Sequence, residues 1–398
     1  MNRGVLYVSY DGMLEPLGQS QVLAYLEKLA PDWRIHLISY EKRADWADAN
    51  KRSAVAARIA AAGIRWHPLR YHKRPSAPAT AYDVAVGSAK AIALALRHRL
   101  TIVHARSYVP ALITLAVKRA TGARFLFDMR GLWADERIDG GLWPKDGRLY
   151  RTAKSLERRF LEAADHVVTL THASEAEIRS FPYLAKRQPT ISVIPTCADL
   201  DRFTIHGPRP IDPFVLGYVG SVGTWYLLGD MLRFFRHLQA VQPEARLSIV
   251  NRNEQALIAE RVRHHGIDPA AVQIQAGEHR DMPRLVAGMS AGMALIKPAY
   301  SKIASAPTKL AEYLGCGVPC LGITGVGDTE AILEGDRVGV VLGGSGDDEL
   351  KAGVKRLTAL TRDPDLQDRC RRTAVRLFSL DAGAAAYRAI YERLAGHS

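Results

Sequence analysis

The chain alternates short apolar runs with longer amphipathic stretches, and it goes through that alternation twice. Strand-like runs occupy 4–10, 34–40, 64–69, 100–105, 124–129, 166–171 and 191–195, with helical patterns at 19–30, 51–62, 80–99, 109–120 and 148–164 between them. Strand and helix patterns in alternation read as a parallel sheet with helices on both faces. The pattern then restarts. Strand-like runs at 213–220, 245–251, 271–277, 291–298, 318–323 and 337–342 are separated by helical stretches at 227–240, 253–265, 281–289, 307–315 and 348–361. Between the two sets lies DLDRFTIHGPRPIDP (199–213), with three prolines and a glycine, which predicts a linker with a hinge near 205–212. With 398 residues, the chain exceeds what one core usually organises. The expectation is α/β: two doubly wound Rossmann-like domains, residues 1–206 and 207–379, with ligands outside the carboxyl ends of the strands, in the cleft where two such sheets face each other. Residues 380–398 form an Ala-rich helix with Tyr387, Ile390, Tyr391 and Leu394 on one face, expected to pack back on the first domain.

Charge is unevenly spread. The net formal charge is +13; residues 1–200 carry 30 basic against 19 acidic residues, or +11, which leaves +2 for the remainder. A basic half points to an anionic partner, or is simply the habit of an Arg/Ala-rich chain. Two stretches concentrate the charge. RWHPLRYHKRPS (65–76) mixes bases with Trp66 and Tyr71, and RLYRTAKSLERRF (148–160) is a basic helix with an apolar face. Both suit an anionic membrane surface, and both suit a solvated face. No nucleic-acid module is recognisable, so nucleic acid is not expected as a partner. Four cysteines, Cys197, Cys316, Cys320 and Cys370, lack zinc spacing and are expected to be reduced thiols. The N-terminus runs directly into a strand, so no cleaved signal peptide is expected, nor any run long enough to span a bilayer.

The stretch SAPTKLAEYLGCGVPC (305–320) carries the most specific chemistry. Pro307 suits a helix start, where its missing N–H is no loss. The first-turn amides and the positive helix end make an anion site, to which Thr308 and Lys309 contribute. Glu312, one turn further in, can accept both hydroxyls of a ribose diol. Tyr313 and Leu314 turn to the core. The same spacing also suits an i,i+3 surface pair of Lys309 and Glu312. GQSQ (18–21) opens a helix after a loop, where Gly18 and the free amides of Gln19 and Ser20 let a ligand approach closely; an ordinary capped loop reads the same way. Asp128 and Arg130 follow a strand; Asp128 can orient hydroxyls or take a proton, and Arg130 can meet phosphate. A structural set of Asp128–Arg130 or Asp135–Arg137 ion pairs is an equal reading. His104 and Arg106 end the preceding strand. Asp199-Leu200-Asp201 spells D-x-D, but in a linker with no second ligand cluster, and is set aside as a metal site.

PTKLAEYLGCGVP resembles the donor-binding segment of the retaining glycosyltransferases of family 4, which have the two-domain GT-B fold. YDGMLEPLGQSQVLAYLEKLA (10–30), HARSYVPAL (104–112), FDMRGLWADER (127–137), EAADHVVTLT (162–171), VIPTCADLDRF (193–203) and GYVGSVGTWY (217–226) are similar to family segments and fall in the family's order. The resemblance implies a nucleotide-diphosphate sugar as donor, no cofactor and no metal. It implies a donor site at Gly220, Ser221, Arg252, Lys297, Pro307, Thr308, Lys309 and Glu312, with Asp128, Arg130 and Glu312 catalytic. It also implies an acceptor or diphosphate loop at Asp11, Gly18, Gln19 and Ser20, with His104. Two departures stand out. Ala304 occupies the first of the two positions where the family often has glutamates, and SVGTWYLLGD (221–230) lacks the usual Arg and Lys for the diphosphate, which leaves Lys309, Arg252 and Lys297 to meet it. The expected protein is cytoplasmic and peripheral on the inner face of the cell membrane, moving a sugar to a glycan or lipid-linked acceptor in envelope or exopolysaccharide assembly. A GT-B sugar-nucleotide epimerase, or a silent binding subunit of a membrane glycan synthase, would share much of this sequence.

Overall fold

The computed structural model describes residues 4–396. The chain divides into two compact units: one ends at Pro195 and is rejoined by the residues from Leu380 onward, and the other is Thr196–Ser379. The linker read at 199–213 thus lies inside the second unit. There Phe203 is buried, and Arg209 donates to Ser290 O (3.0 Å) and Thr361 O (2.8 Å), so this proline-rich segment is bolted to the domain.

The first unit is built on β1 (Gly4–Ser9), β2 (Arg34–Glu41), β3 (Arg65–Arg70), β4 (Ile102–Arg106), β5 (Arg124–Asp128), β6 (His166–Thr169) and β7 (Ile191–Val193). They form one seven-stranded parallel sheet in the order β3-β2-β1-β4-β5-β6-β7. β1 is buried along its length, with Val5 between Ile35 of β2 and Ile102 of β4, which explains its unbroken apolar run. The second unit repeats the plan with β8 (Val215–Val219), β9 (Arg246–Val250), β10 (Val272–Gln275), β11 (Ala291–Met293), β12 (Cys320–Ile323) and β13 (Gly339–Leu342), ordered β10-β9-β8-β11-β12-β13. In both sheets the order reverses beside the first strand, after β1 and after β8. The carboxyl ends of those strands are where a doubly wound sheet opens a crevice.

One helix departs from the reading of membrane segments. Ser76–His98 is long and apolar enough by length and composition to cross a bilayer. It packs on the helix Tyr108–Thr121 and on β1. Its buried face carries Asp83, which accepts from the Tyr10 hydroxyl (2.8 Å) and the His72 amide (3.1 Å). Those contacts are those of a domain helix. Five helices escaped the periodicity: the short Arg43–Ala47, Trp133–Asp139, His172–Ser180 and Thr329–Gly335, and the longer Leu366–Phe378.

Three histidines meet at the sheet edge. His36 of β2 is fully buried, shares a 3.1 Å hydrogen bond with His67 of β3 and lies 4.3 Å, ring to ring, from His98. Burial, then the neighbouring His98 and His67, and then Arg65 and Arg34, push His36 down to about 4; burial and Lys90, His98 and Arg65 do the same to His67. Between the ordinary histidine pKa of 6.5 and about 4, the unfolded chain binds more protons than the folded one. Stability therefore is complete above that window and falls as the pH drops through it. Thermal unfolding between pH 7.5 and pH 5 should show this loss, and His36→Leu should flatten it; an unchanged slope in the variant would place the acid sensitivity elsewhere.

Candidate functional site

In the second unit the helix Thr308–Gly315 begins after Pro307, which is extended and stands at the N-cap; the first bond of the turn runs from the Leu310 amide to Pro307 O (3.0 Å). The Thr308 and Lys309 amides precede it and have no intrahelical acceptor. Lys309 is only 7% exposed. Its Nζ has no hydrogen-bond partner among the described residues, and it lies 4.2 Å from the Tyr218 ring centre and 3.9 Å from that of Tyr226. Burial lowers its pKa to about 7, against the opposing pull of Cys320 and Glu312. A cation without a hydrogen-bonded anion, held between aromatic faces at a helix start, is poised for an anion from outside. The alternative of an i,i+3 surface pair does not hold, because Lys309 is buried and makes no ion pair with Glu312. The Glu312 carboxylate is half-buried and accepts no hydrogen bond from any described residue. Burial raises its pKa to about 7, with Lys309 and Arg202 opposing.

The loop after β8 closes on the same lysine. Gly220 has φ +127°, and a Cβ there would stand 3.2 Å from Lys309 Nζ, so a side chain would crowd both the backbone and the ammonium. Asn251 Nδ2 donates to Gly220 O (2.9 Å) and to Glu254 (2.7 Å), and Ser221 O accepts from the Tyr218 hydroxyl. Gly220, Ser221, Pro307, Thr308, Lys309 and Glu312 are thus brought around one helix start. Arg252 follows Asn251 and is exposed; Lys297 is exposed, and its amide binds Trp225 O (2.8 Å). Both border the loop cluster with exposed side chains that make no hydrogen bond or ion pair among the described residues. Sequence reasoning missed Tyr218, Tyr226 and Lys302, which is buried with its ammonium 3.6 Å from the Trp225 ring centre. The aromatics of GYVGSVGTWY were the available signal. Ala304 is buried in a short 3-10 turn, Tyr300–Ala304. Asp199 Oδ1 accepts from the Asp201 and Arg202 amides (3.1 and 3.4 Å), so D-x-D is a turn cap.

In the first unit Asp11, His104, Arg106, Asp128 and Arg130 form one cluster at the ends of β1, β4 and β5. Asp128 is fully buried, 3.7 Å from each of His104 Nε2, Arg106 and Arg130, and Arg106 reaches Asp11 at 3.4 Å. The terminal helix Leu380–Gly396 seals it: the Tyr387 hydroxyl donates to Asp128 (3.0 Å), and the Tyr391 hydroxyl shares a 2.7 Å hydrogen bond with His104 Nδ1. Burial works to raise the Asp128 pKa, but Arg130, His104 and Arg106 outweigh it and hold the carboxyl below its ordinary range. A sealed, firmly ionised carboxylate makes a poor proton acceptor; it fixes Arg106 and Arg130. Asp135 pairs with Lys154 (2.9 Å) and Tyr150 (2.8 Å), while Arg137 stacks on Trp133, so the Asp135–Arg137 pair does not form.

The GQSQ segment behaves differently from its expectation. The helix already begins at Pro16, the Gln19 amide is taken by Glu15 O (3.0 Å), and Gln19–Leu23 winds as a π-turn. Gly18 is buried, with its would-be Cβ 2.0 Å from Gly12 O. What approaches Gly18 closely is the loop's own backbone. Ser20 donates to Pro16 O (3.0 Å).

Two parallel-sheet α/β units of this kind are the GT-B fold. Residues 19–196 match the Glycosyl transferase 4-like domain family. Among solved structures, the chain is similar to sucrose-phosphate synthase from Thermosynechococcus elongatus at 16% identity and TM-score 0.74, covering 100% of both chains. It is similar to Anabaena HepE in complex with UDP-glucose at 14% identity and TM-score 0.66, covering 99% of each. It is also similar to the lipopolysaccharide outer core galactosyltransferase WaaB at 13% and 0.64, covering 98% of this chain and 99% of that one. No curated protein matches by sequence.

Proposed function

We propose that the chain is a glycosyltransferase that moves a hexose, with retention at the anomeric carbon, from a nucleotide-diphosphate sugar to a glycan or lipid-linked acceptor in envelope or exopolysaccharide assembly. The observation that carries this reading is the buried Lys309 ammonium with no hydrogen-bond partner at the start of Thr308–Gly315, with Gly220 against it and Glu312 one turn on. Diphosphate oxygens would take Lys309 and the amides of Thr308 and Lys309. The ribose diol would take Glu312, a neutral portion beside a carboxylate avoiding the repulsion a phosphate would feel there. In the transfer, the bond from the anomeric carbon to the diphosphate oxygen breaks, a bond to an acceptor hydroxyl oxygen forms, and that hydroxyl's proton is released. The growing charge on the leaving diphosphate is met by Lys309 and the helix amides, so the reading needs no metal. UDP-glucose bound to the structural neighbour HepE supports a nucleotide sugar as partner. The first unit would hold the acceptor, and its excess of positive charge suits the inner face of the cell membrane.

The test is a thermal-shift screen against UDP-, GDP-, ADP-, dTDP- and CMP-sugars with Glu312→Ala alongside. At a hundred times Kd, a ligand of the native state adds about 2.7 kcal/mol. One nucleotide should raise the melting temperature, and the variant should lose the shift. No shift with any of them would leave the silent-subunit reading standing.

A further inference from the structure

A cavity of about 470 Å³ lies at the open edge of the first sheet, lined by Glu41, Arg43, Trp46, Pro68, Leu69 and Arg70. That volume is within the roughly 300–1,000 Å³ of small-ligand sites. We propose that it binds an anionic carbohydrate: a sugar ring laid against Trp46 and the Pro68–Leu69 floor, its carboxylate or phosphate taken by Arg43 and Arg70. This rests on the proposed function insofar as the ligand is the acceptor.

The charges on the walls are uneven in a telling way. Neither Arg43 nor Arg70 has a hydrogen-bond or ion-pair partner among the described residues, and both are exposed. Glu41, Asp45 and Glu15 are engaged elsewhere. Glu41 accepts from the Met13 and Leu14 amides (2.8 and 3.2 Å) and the Ser39 hydroxyl (2.6 Å). Asp45 holds Lys51 (2.6 Å), and Glu15 holds Lys42. Two guanidiniums in the cavity wall are thus left without an ion-pair partner among the described residues, and a planar fork is the group that best takes a carboxylate or phosphate.

Trp46 supplies the ring surface. It is 38% exposed, and Arg52 lies over its ring at 5.2 Å. Pro68 and Leu69 pair with Ser39 and Tyr40 in the β2–β3 register, which holds this edge of the cavity to the sheet. Glu41 links the cavity to the Gly12–Leu14 turn by accepting from the Met13 and Leu14 amides, so the cavity borders the DGMLEP loop after β1.

The membrane alternative is less favoured. Of the aromatics in 65–76, Trp66 donates to Ser39 (2.8 Å), and Tyr71 packs on Tyr10 at 5.3 Å, so both are turned into the fold.

The test titrates the full chain, by tryptophan fluorescence, with a glucuronate-terminated trisaccharide, its 6-phosphoglucosyl counterpart and the neutral glucosyl parent. One of the two anionic saccharides should bind roughly tenfold tighter than the neutral one, and the comparison tells carboxylate from phosphate. Arg43→Ala and Arg70→Ala should each weaken it by roughly tenfold, Trp46→Phe should remove most of the fluorescence change, and the nucleotide thermal shift should be intact in all three. Equal binding of all three saccharides, no binding of any, or full binding by the arginine variants would overturn the site. So would variants that lose only binding to phosphatidylglycerol vesicles. If no nucleotide sugar shifts the wild type while arginine-dependent saccharide binding persists, the cavity stands and the transferase reading falls.

Discussion

Lys309→Met is expected to make the protein more stable and to abolish nucleotide-sugar binding. The native ammonium is buried without a hydrogen bond or ion pair among the described residues, and the two tyrosine faces offer it about 2 kcal/mol. Methionine keeps the apolar stem and removes the unmet charge, so unfolding should need about 1–3 kcal/mol more. The same change removes the buried cation at the helix start that the proposed diphosphate would meet, so the thermal shift seen with the wild type's nucleotide should vanish. Equilibrium denaturation and the nucleotide screen on one preparation check both halves. A variant that is less stable and still binds nucleotide would show Lys309 to be a packing residue. The pH dependence sharpens this. Lys309 loses its proton as the pH rises through about 7, which weakens the grip on phosphate. Glu312 gains its proton as the pH falls through about 7, which weakens the grip on a diol. Nucleotide affinity should therefore peak near neutrality and fall on both sides.

Asp128→Ala carries the second large effect, on folding. Asp128 stands within 3.7 Å of Arg106 and Arg130, both with little exposure, and also accepts the Tyr387 hydroxyl. Removing it leaves the Arg130 guanidinium without the carboxylate it pairs with and Arg106 with only the more exposed Asp11, a loss of about 3–5 kcal/mol. Tyr387→Phe removes only a hydroxyl and should cost about 1 kcal/mol. The double variant should fall short of the sum, because the two share one bond. The sign with pH follows from the depressed pKa. The contribution is present above the ordinary value of 3.8 and is lost as the pH falls through the lower folded value. Urea unfolding measures all three variants; an Asp128→Ala protein as stable as the wild type would mean that Arg106 and Arg130 find other partners.

Much of the fold was legible because buried parallel strands leave a plain signal. The run 34–40 became β2 at Arg34–Glu41, and the run 337–342 became β13 at Gly339–Leu342, with the same end. Short helices such as Trp133–Asp139 were invisible because seven residues hold too few turns for a period to show. The helix Leu366–Phe378 hid for another reason: four arginines among its thirteen residues dilute the apolar stripe of Leu366, Cys370, Ala374 and Phe378. At the site, the order of residues in PTKLAEY gave the helix start and its lysine. It did not give the burial of Lys309, which depends on Tyr218 and Tyr226 arriving from another part of the chain. The role of Gly18 was misread for a similar reason, since only the folded loop reveals Gly12 O on top of it.

The helix Leu380–Gly396 is the last segment described and yet part of the unit that is synthesised first. On the ribosome, β1 to β7 emerge long before the tyrosines that close over Asp128 and His104. Until the whole of Thr196–Ser379 has been made, the early unit holds buried arginines, a carboxylate and the bare apolar face meant for Tyr387, Ile390, Tyr391 and Leu394. Domains otherwise tend to fold in order of synthesis. Here the first to appear is the last to be finished, and a nascent chain cut short anywhere before residue 380 leaves it open to chaperones and proteases.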